Sequence, residues 1–294
     1  MSVYPFIEAE KAQQHSVKRA CELLKVSRAA FYQHLAGPSA REIADASLAA
    51  VIREVHDGSK GRYGSPRVHA QLARDGHCHG RKRVARIMRS AGLRGRVAKR
   101  WKRTTIADPA AAARADKIRR DFTADAGQVN SRWCGDITYI RTREGWLYLA
   151  TVIDIASRRV VGFAMADHLR TSLVAGALVN AVAARDPAPG VIFHADRGCQ
   201  YTSAELASLA GDFDVELSHS RKGQCWDNAL AESFFGSLKG ELTDLQAWPT
   251  RAGARRAVTE YIGWYNGTRL HSSLGYQTPA EFEATHHNQT KKVA

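Results

Sequence analysis

The chain has 294 residues, 44% apolar and 24% charged, close to the ~45–50% and ~25% of ordinary globular domains, which excludes collagen-like, low-complexity and natively unfolded classes. Its formal charge of +14 is uneven: residues 1–120 carry +16 and residues 121–294 carry −2, so a basic N-terminal module joined to a near-neutral one is expected. The longest uncharged apolar stretch, residues 171–184, is 14 residues, short of the ~20 that cross a bilayer, and residues 1–11 hold three charges with no apolar signal core.

Five cysteines, Cys21, Cys78, Cys134, Cys199 and Cys225, stand far apart with no CxxC pair, unlike a disulfide framework or a zinc site, and a reducing cytoplasm fits them best. Residues 16–35 read as two short helices, with Val17, Ala20, Leu23 and Leu24 on one apolar face, a break at 25–27, then Ala30 and Phe31. This is either a helix-turn-helix or a packed helical hairpin. Three more helices follow. Residues 43–55 have helical spacing, Ser65-Pro66 supplies an N-cap and first turn for 67–74, and 81–91 ends at Gly92. On the last, Val84, Ile87 and Met88 share one face while Arg81, Lys82, Arg83, Arg86 and Arg89 occupy the remaining surface. Eleven basic and no acidic residues lie between Arg81 and Arg103. Charge of that density is relieved by a polyanion, so this helix is expected to bind DNA. His77, Cys78 and His79 are adjacent in a Gly-flanked turn and cannot all face one ion.

Residues 93–124 are basic, Ala-rich and broken by Asp108-Pro109, which suits a linker or long helix. The expected organisation is therefore a helical segment at 1–42, a basic helix-turn-helix-like domain at 43–100, a basic linker at 101–124, a second domain at 125–286 and a tail at 287–294. In the second domain, β-rich runs at 133–140, 147–156 and 159–166 predict an antiparallel meander. A helix at 173–184, a buried strand at 191–194, a helix at 204–210, a short strand at 215–217 and a long helix at 228–242 follow. The pattern implies a mixed α/β fold, with helices on the faces of a mixed sheet.

Asp136 falls inside the first of these strands, where an ionised group is normally excluded unless paired or metal-bound. Asp196 ends the buried run VIFHAD, at the strand edge where α/β sheets build sites. Glu232 lies on the last helix, whose expected N-cap is Asp227, and Lys239 follows seven residues later on nearly the same side. Asp154 reads as an aspartate that starts a turn. His194 and His219 read as hydrogen-bonded structural residues, Arg269, His271, Ser272 and Ser273 as a loop held to the core, and Trp133, Trp146, Trp248 and Trp264 as packing.

Thirty-five residues separate Asp196 from Glu232, with Lys239 seven beyond, which matches the Asp, Asp, 35, Glu (DDE) signature of retroviral-type integrases and related transposases. The segments HADRGCQYTS, WDNALAESFFGSLKGEL and YNGTRLHSSLGYQTPAEFE closely resemble second-reading-frame (OrfB) transposases of a large bacterial insertion-sequence family, and RYGSPRVHAQL resembles their helix-turn-helix segment. The resemblance implies a ribonuclease H-like integrase core at 125–286, with Asp136, Asp196 and Glu232 as catalytic residues and ligands of two magnesium ions, for which manganese substitutes. It also implies Lys239 as a DNA contact.

The implied activity is metal-dependent cleavage of one strand at each terminal inverted repeat and strand transfer to target DNA. Implied partners are both DNAs, further copies of the chain on paired ends, and an upstream-frame helix-turn-helix protein fused to or complexed with it; the location is the bacterial cytoplasm and nucleoid. Ala195 and Cys199 stand where the family usually has serines, and Cys225-Trp226 where a small residue or proline then tyrosine is common. A DNA-binding regulator and a plain ribonuclease H-like nuclease are the alternatives. The first has no use for a carboxylate inside a strand, and the second none for a large basic module.

Overall fold

Three serines set the helix starts of the first unit. The Ser16, Ser27 and Ser39 hydroxyls accept hydrogen bonds from the backbone N–H three residues on, and Ser39 forms a full capping box with Glu42. The computed structural model describes residues 3–96, 114–221 and 228–285, and the chain divides into two units, Met1–Gly95 and Arg96–Ala294. In the first, α1 (Tyr4–Ala12), α2 (Val17–Leu23) and α3 (Arg28–Leu35) close over Ile7, Cys21 and Phe31. Next, α4 (Ala40–Gly58), α5 (Ser65–Arg74) and α6 (Arg81–Ser90) bury Ile52, Val68, Leu72 and Val84 completely.

The start of α5 differs from expectation. Gly64, not Ser65, is the N-cap, and no side chain caps the helix, because Pro66 already sits in the first turn and draws Ser65 inside. Helix α6 ends as the sequence predicts, with Gly92 at φ +68° just beyond it.

In the second unit β1 (Arg132–Thr142), β2 (Gly145–Asp154) and β3 (Val160–Ala166) form the antiparallel meander. After α7 (Thr171–Arg185), β4 (Ile192–Ala195) returns parallel to β1. Then α8 (Cys199–Thr202) and α9 (Ala204–Asp212) lead to β5 (Glu216–His219), parallel to β4. The sheet order is β3-β2-β1-β4-β5. Alternation along β1 sends Cys134 and Ile140 to one face and Trp133 to the other, and each face has its own core. Trp133, Ala150, Val152 and Phe193 pack with Val174, Leu178 and Ala181 of α7. On the opposite face Cys134, Leu149 and Ile153 pack with Phe234, Phe235 and Leu238 of α10 (Ala229–Leu238) and with Val258 and Tyr261 of α11 (Arg251–Gly267).

Two further expectations are corrected. The single helix at 228–242 is divided: α10 stops at Leu238 and Lys239–Thr243 form a π-helical turn. Gly240 weakens the helix there, and the Glu241 side chain is drawn inward to Arg269, with Nη2 to Oε1 at 2.7 Å. Helix α11, unexpected from the sequence, follows, because Gly253, Gly263 and Gly267 mask its apolar period. Trp133 and Trp248 are buried and Trp264 partly so, but Trp146 is 44% exposed and is not a packing residue.

Candidate active site

Ladder register brings the two aspartates together. Strands β1 and β4 pair Arg132 with Ile192, Trp133 with Phe193 and Cys134 with His194. Asp136 lies two residues beyond the last position of β1 paired with β4, and Asp196 follows the end of β4, so the ladder delivers both to the same end of the sheet. Asp136 lies on the Cys134 and Ile140 side of β1, the side covered by α10, and α10 carries Glu232 in its first turn. The helix start is tied to β1 by Asn228, whose buried Nδ2 donates to the Gly135 carbonyl at 3.0 Å. Asn228 is thus the N-cap position of α10, and the expected Asp227 cap, like Cys225-Trp226, lies outside the described residues.

Both aspartates are half-buried and oriented by backbone donors: Ile137 N–H to Asp136 Oδ1 at 2.8 Å, and Gly198 N–H to Asp196 Oδ1 at 2.9 Å. Among the described residues, none donates a hydrogen bond to the half-buried Glu232. Burial pushes the Asp136 carboxyl well above the usual carboxylate range. The Asp196 and Glu232 charges push it further, while the Ile137 N–H and Lys239 only partly oppose them. Burial and then Asp196 raise Glu232 as well. Desolvation lowers the Lys239 ammonium, against the pull of Asp244 and Asp136. The three acids therefore act on one another and the Lys239 cation responds to them, an arrangement that further positive charge would relieve.

Two neighbours were not anticipated. Among the described residues the buried Tyr201 hydroxyl finds no partner, and burial followed by the Asp136 and Asp196 charges holds its pKa well above the ordinary value. Thr151, opposite Asp136 on β2, has a buried hydroxyl that also finds no partner among the described residues. No sequence spacing signals either, since Thr151 meets Asp136 across the β1–β2 ladder and Tyr201 comes from α8. The carboxylate set supplies the hard oxygen donors that magnesium or manganese prefer. Among the described residues, no three His, Cys, Asp or Glu side chains already converge as ligands around one point, so the acids would have to close on an ion.

The other nominated residues have structural roles. The buried Asp154 accepts from Asn130 N–H at 2.7 Å and Ser157 N–H at 2.8 Å, which ties the β2–β3 turn. His194 lies between the Ser218 and Ser220 hydroxyls, at 2.9 and 3.2 Å. Arg269 is buried against Glu241. On α6, Arg81, Lys82 and Arg89 are exposed, whereas Arg83 and Arg86 pair with Asp45 at 2.7 and 2.5 Å; their hydrogen bonds hold its carboxyl below the usual range.

Residues 126–225 match the family described as "Integrase core domain", residues 213–279 match a second family of that description, and residues 42–101 match "HTH-like domain". Transposase InsF for insertion sequence IS3A of Escherichia coli (strain K12) is 37% identical over 284 residues, which covers 95% of this chain and 98% of that protein. The chain belongs to the IS3-family transposases. The transposase for insertion sequence element IS904 of Lactococcus lactis subsp. lactis (strain IL1403) is likewise 37% identical, over 84% of this chain and 97% of its own length. Among solved structures, a chain of the simian T-cell lymphotropic virus intasome bound to PP2A regulatory subunit B56 gamma is 17% identical, with 79% of this chain and 74% of that one covered at a TM-score of 0.47. This transposase is a DDE-type polynucleotidyl transferase of a bacterial insertion sequence, and it binds DNA. Among its described residues, no helix is long and apolar enough to cross a membrane.

Proposed function

We propose that Asp136, Asp196 and Glu232 are the catalytic carboxylates and metal ligands of this transposase, and that they cut one strand at each terminal inverted repeat of its element before the freed 3′-hydroxyl is joined to target DNA. The observation that carries the reading is the placement of the three acids: Asp136 within β1, Asp196 directly after β4, which pairs with β1, and Glu232 in the first turn of α10, which covers the Asp136 side of β1. Two bound magnesium ions, or manganese in their place, would supply Lewis-acid polarisation of the scissile phosphate and neutralise the acids. The chain holds the geometry. The Ile137 and Gly198 N–H groups each fix one oxygen of Asp136 and Asp196 and so orient the two carboxylates. Glu232 completes the set from the first turn of α10, and Lys239, from the turn that follows that helix, holds a DNA phosphate oxygen beside the acids.

Arg81, Lys82, Arg83, Arg86 and Arg89 make the sequence-independent contacts of the first unit. Arg81, Lys82 and Arg89 contribute most, because Arg83 and Arg86 are shared with Asp45. The working complex is a homo-oligomer on paired ends in the bacterial cytoplasm, together with the upstream-frame helix-turn-helix product. The test is cleavage of labelled element-end DNA in magnesium by the intact chain and by Glu232→Gln, alone and with that product added. Nicking and joining by the intact chain but not by the variant is expected. Full activity of Glu232→Gln overturns the carboxylate assignment.

A further inference from the structure

Strand β4 is only four residues long and its ladder with β1 ends at Cys134, so beyond it the edge of β1 that faces away from β2 has no strand partner among the described residues until Thr142 bridges Trp248. Between that edge and the 239–248 segment lies a cavity of about 630 Å³, within the ~300–1,000 Å³ range of small-ligand pockets. Its mouth is aromatic and cationic. Tyr139 and Trp146 are 45% and 44% exposed and meet edge to face, with ring centroids 5.1 Å apart and an interplanar angle of 82°. Lys239 Nζ stands 5.3 Å from the centroid of Tyr139, and the exposed Arg141 and Arg143 flank it, with Asp244 the one acid among the lining residues. Two large aromatic rings left side by side in water, beside cations and against a cavity, have no packing role.

We infer that this cavity takes one unpaired nucleotide of the DNA substrate, its base stacked on the Tyr139–Trp146 pair and its phosphate held by Lys239 and the flanking arginines. The inference rests on the carboxylate site proposed above. The occupant must be unpaired because a base inside a duplex has both faces covered, whereas an extruded or frayed one offers a face to an aromatic ring. Lys239 ties the pocket to the chemistry, since its charge is felt by Asp136 and its ammonium lies over Tyr139. Tyr139 is three residues along the strand from Asp136, about 10 Å at ~3.3 Å per residue.

The experiment uses the full chain without divalent metal and two DNA duplexes carrying 2-aminopurine, one with the probe in a three-nucleotide unpaired 3′ extension, the other with it inside the paired region. Stacking quenches the unpaired probe several-fold and leaves the paired probe unchanged. Tyr139→Ala and Trp146→Ala should each abolish the quench and weaken binding of the extended duplex by about 5- to 100-fold, the range expected for loss of one stacked base. Tyr139→Phe and Trp146→Phe should restore both. Wild-type quenching and affinity in the two alanine variants overturn the inference, as does equal quenching of the paired probe. An alanine variant that changes only the oligomeric state in size-exclusion chromatography also overturns it and assigns the aromatic pair to an interface between copies. Glu232→Gln keeps the quench. If that variant also cleaves like wild type, the carboxylate reading fails while the stacking site stands; if it is inactive and the alanine variants quench normally, the stacking site fails alone.

Discussion

Arg269→Met should destabilise the second unit by about 3–5 kcal/mol, the usual result of stranding one member of a buried ion pair. The Arg269 and Glu241 side chains are each 5% exposed. Arg269 donates from Nη2 to Glu241 Oε1 at 2.7 Å and from Nε to Oε2 at 3.0 Å, and reaches Ser237 Oγ at 3.2 Å, while the Tyr261 hydroxyl donates to Glu241 Oε2 at 2.9 Å. Burial alone would lower the pKa of the guanidinium, but hydrogen bonding to Glu241 and its charge outweigh burial and hold the value above the ordinary one. Without arginine the carboxylate loses its cation in a site closed to water, although the Tyr261 hydroxyl still donates to it. For a unit of this size ~1 kcal/mol shifts Tm by about 2–4 °C, so a fall of roughly 6–20 °C is expected.

Urea unfolding followed by tryptophan emission reports on this unit alone, because all six tryptophans lie beyond residue 95. A cycle of Arg269→Met, Glu241→Met and the double variant isolates the pair. The double variant should recover most of the loss, since two apolar side chains leave no unpaired charge. A single-variant loss below about 1 kcal/mol, or additivity within about 0.5 kcal/mol, would refute the reasoning. The same cycle tests the π turn: Ser237, Glu241, Tyr261 and Arg269 bracket Lys239 from α10, the turn itself, α11 and the segment after it, so cleavage should fall in Arg269→Met and return in the double variant.

Three further outcomes are expected. His219 is buried, and desolvation lowers its pKa from 6.5 to about 4; the unfolded chain takes up the proton first, so stability falls as pH drops from about 6.5 toward 4, by roughly 1–2 kcal/mol at pH 5. Urea titrations at pH 7 and pH 5 should show that loss in the parent and not in His219→Gln; identical pH profiles would discard the assignment. Asp136 has the opposite sign: its folded pKa lies above the unfolded value, so its contribution favours folding at low pH and is lost as pH rises through the folded pKa. In thermal melts at pH 7 without metal Asp136→Asn should therefore be more stable than the parent, and only the parent should gain Tm from added magnesium; equal gains in both would contradict the ligand role. A methyl group at Gly162 would lie 2.6 Å from Ala181 Cβ and against the α7 backbone, so Gly162→Ala should cost about 1–3 kcal/mol of overpacking, and a loss under about 0.5 kcal/mol by urea unfolding would show that α7 can yield.

The sheet and its acids were readable because their signals are local. Runs of β-forming apolar residues mark β1 to β3, a carboxylate inside such a run is conspicuous, and the Asp196 to Glu232 spacing needs no knowledge of packing. Gly92 marked the end of α6 in the same way, whereas Ser65, read as a cap, lies inside α5, and the caps at Ser16, Ser27 and Ser39 went unread. Partnerships formed across long sequence separations stayed hidden. Asn228 meets Gly135 over 93 residues and Arg269 meets Glu241 over 28; neither contact leaves a periodic trace. Trp146 was misjudged because size and apolarity suggest burial, whereas its neighbour across the ladder is Arg141 at an open edge. Helix α11 was lost among its glycines, although Tyr261 and Tyr265 bury its inner face.

The unpartnered half of β1 has a colloidal meaning as well. An open strand edge offers N–H and C=O groups to any other strand, and pairing between two copies is the usual hazard. Here Arg141, Arg143 and Lys239 stand along that edge, so two edges approaching each other would crowd six cations together. Their repulsion reaches ~10 Å at 0.1 M salt and only ~3 Å at 1 M. The cations that draw in a polyanion are thus also what keeps free copies apart, and a bound DNA strand, by covering the edge it neutralises, takes over the guarding role.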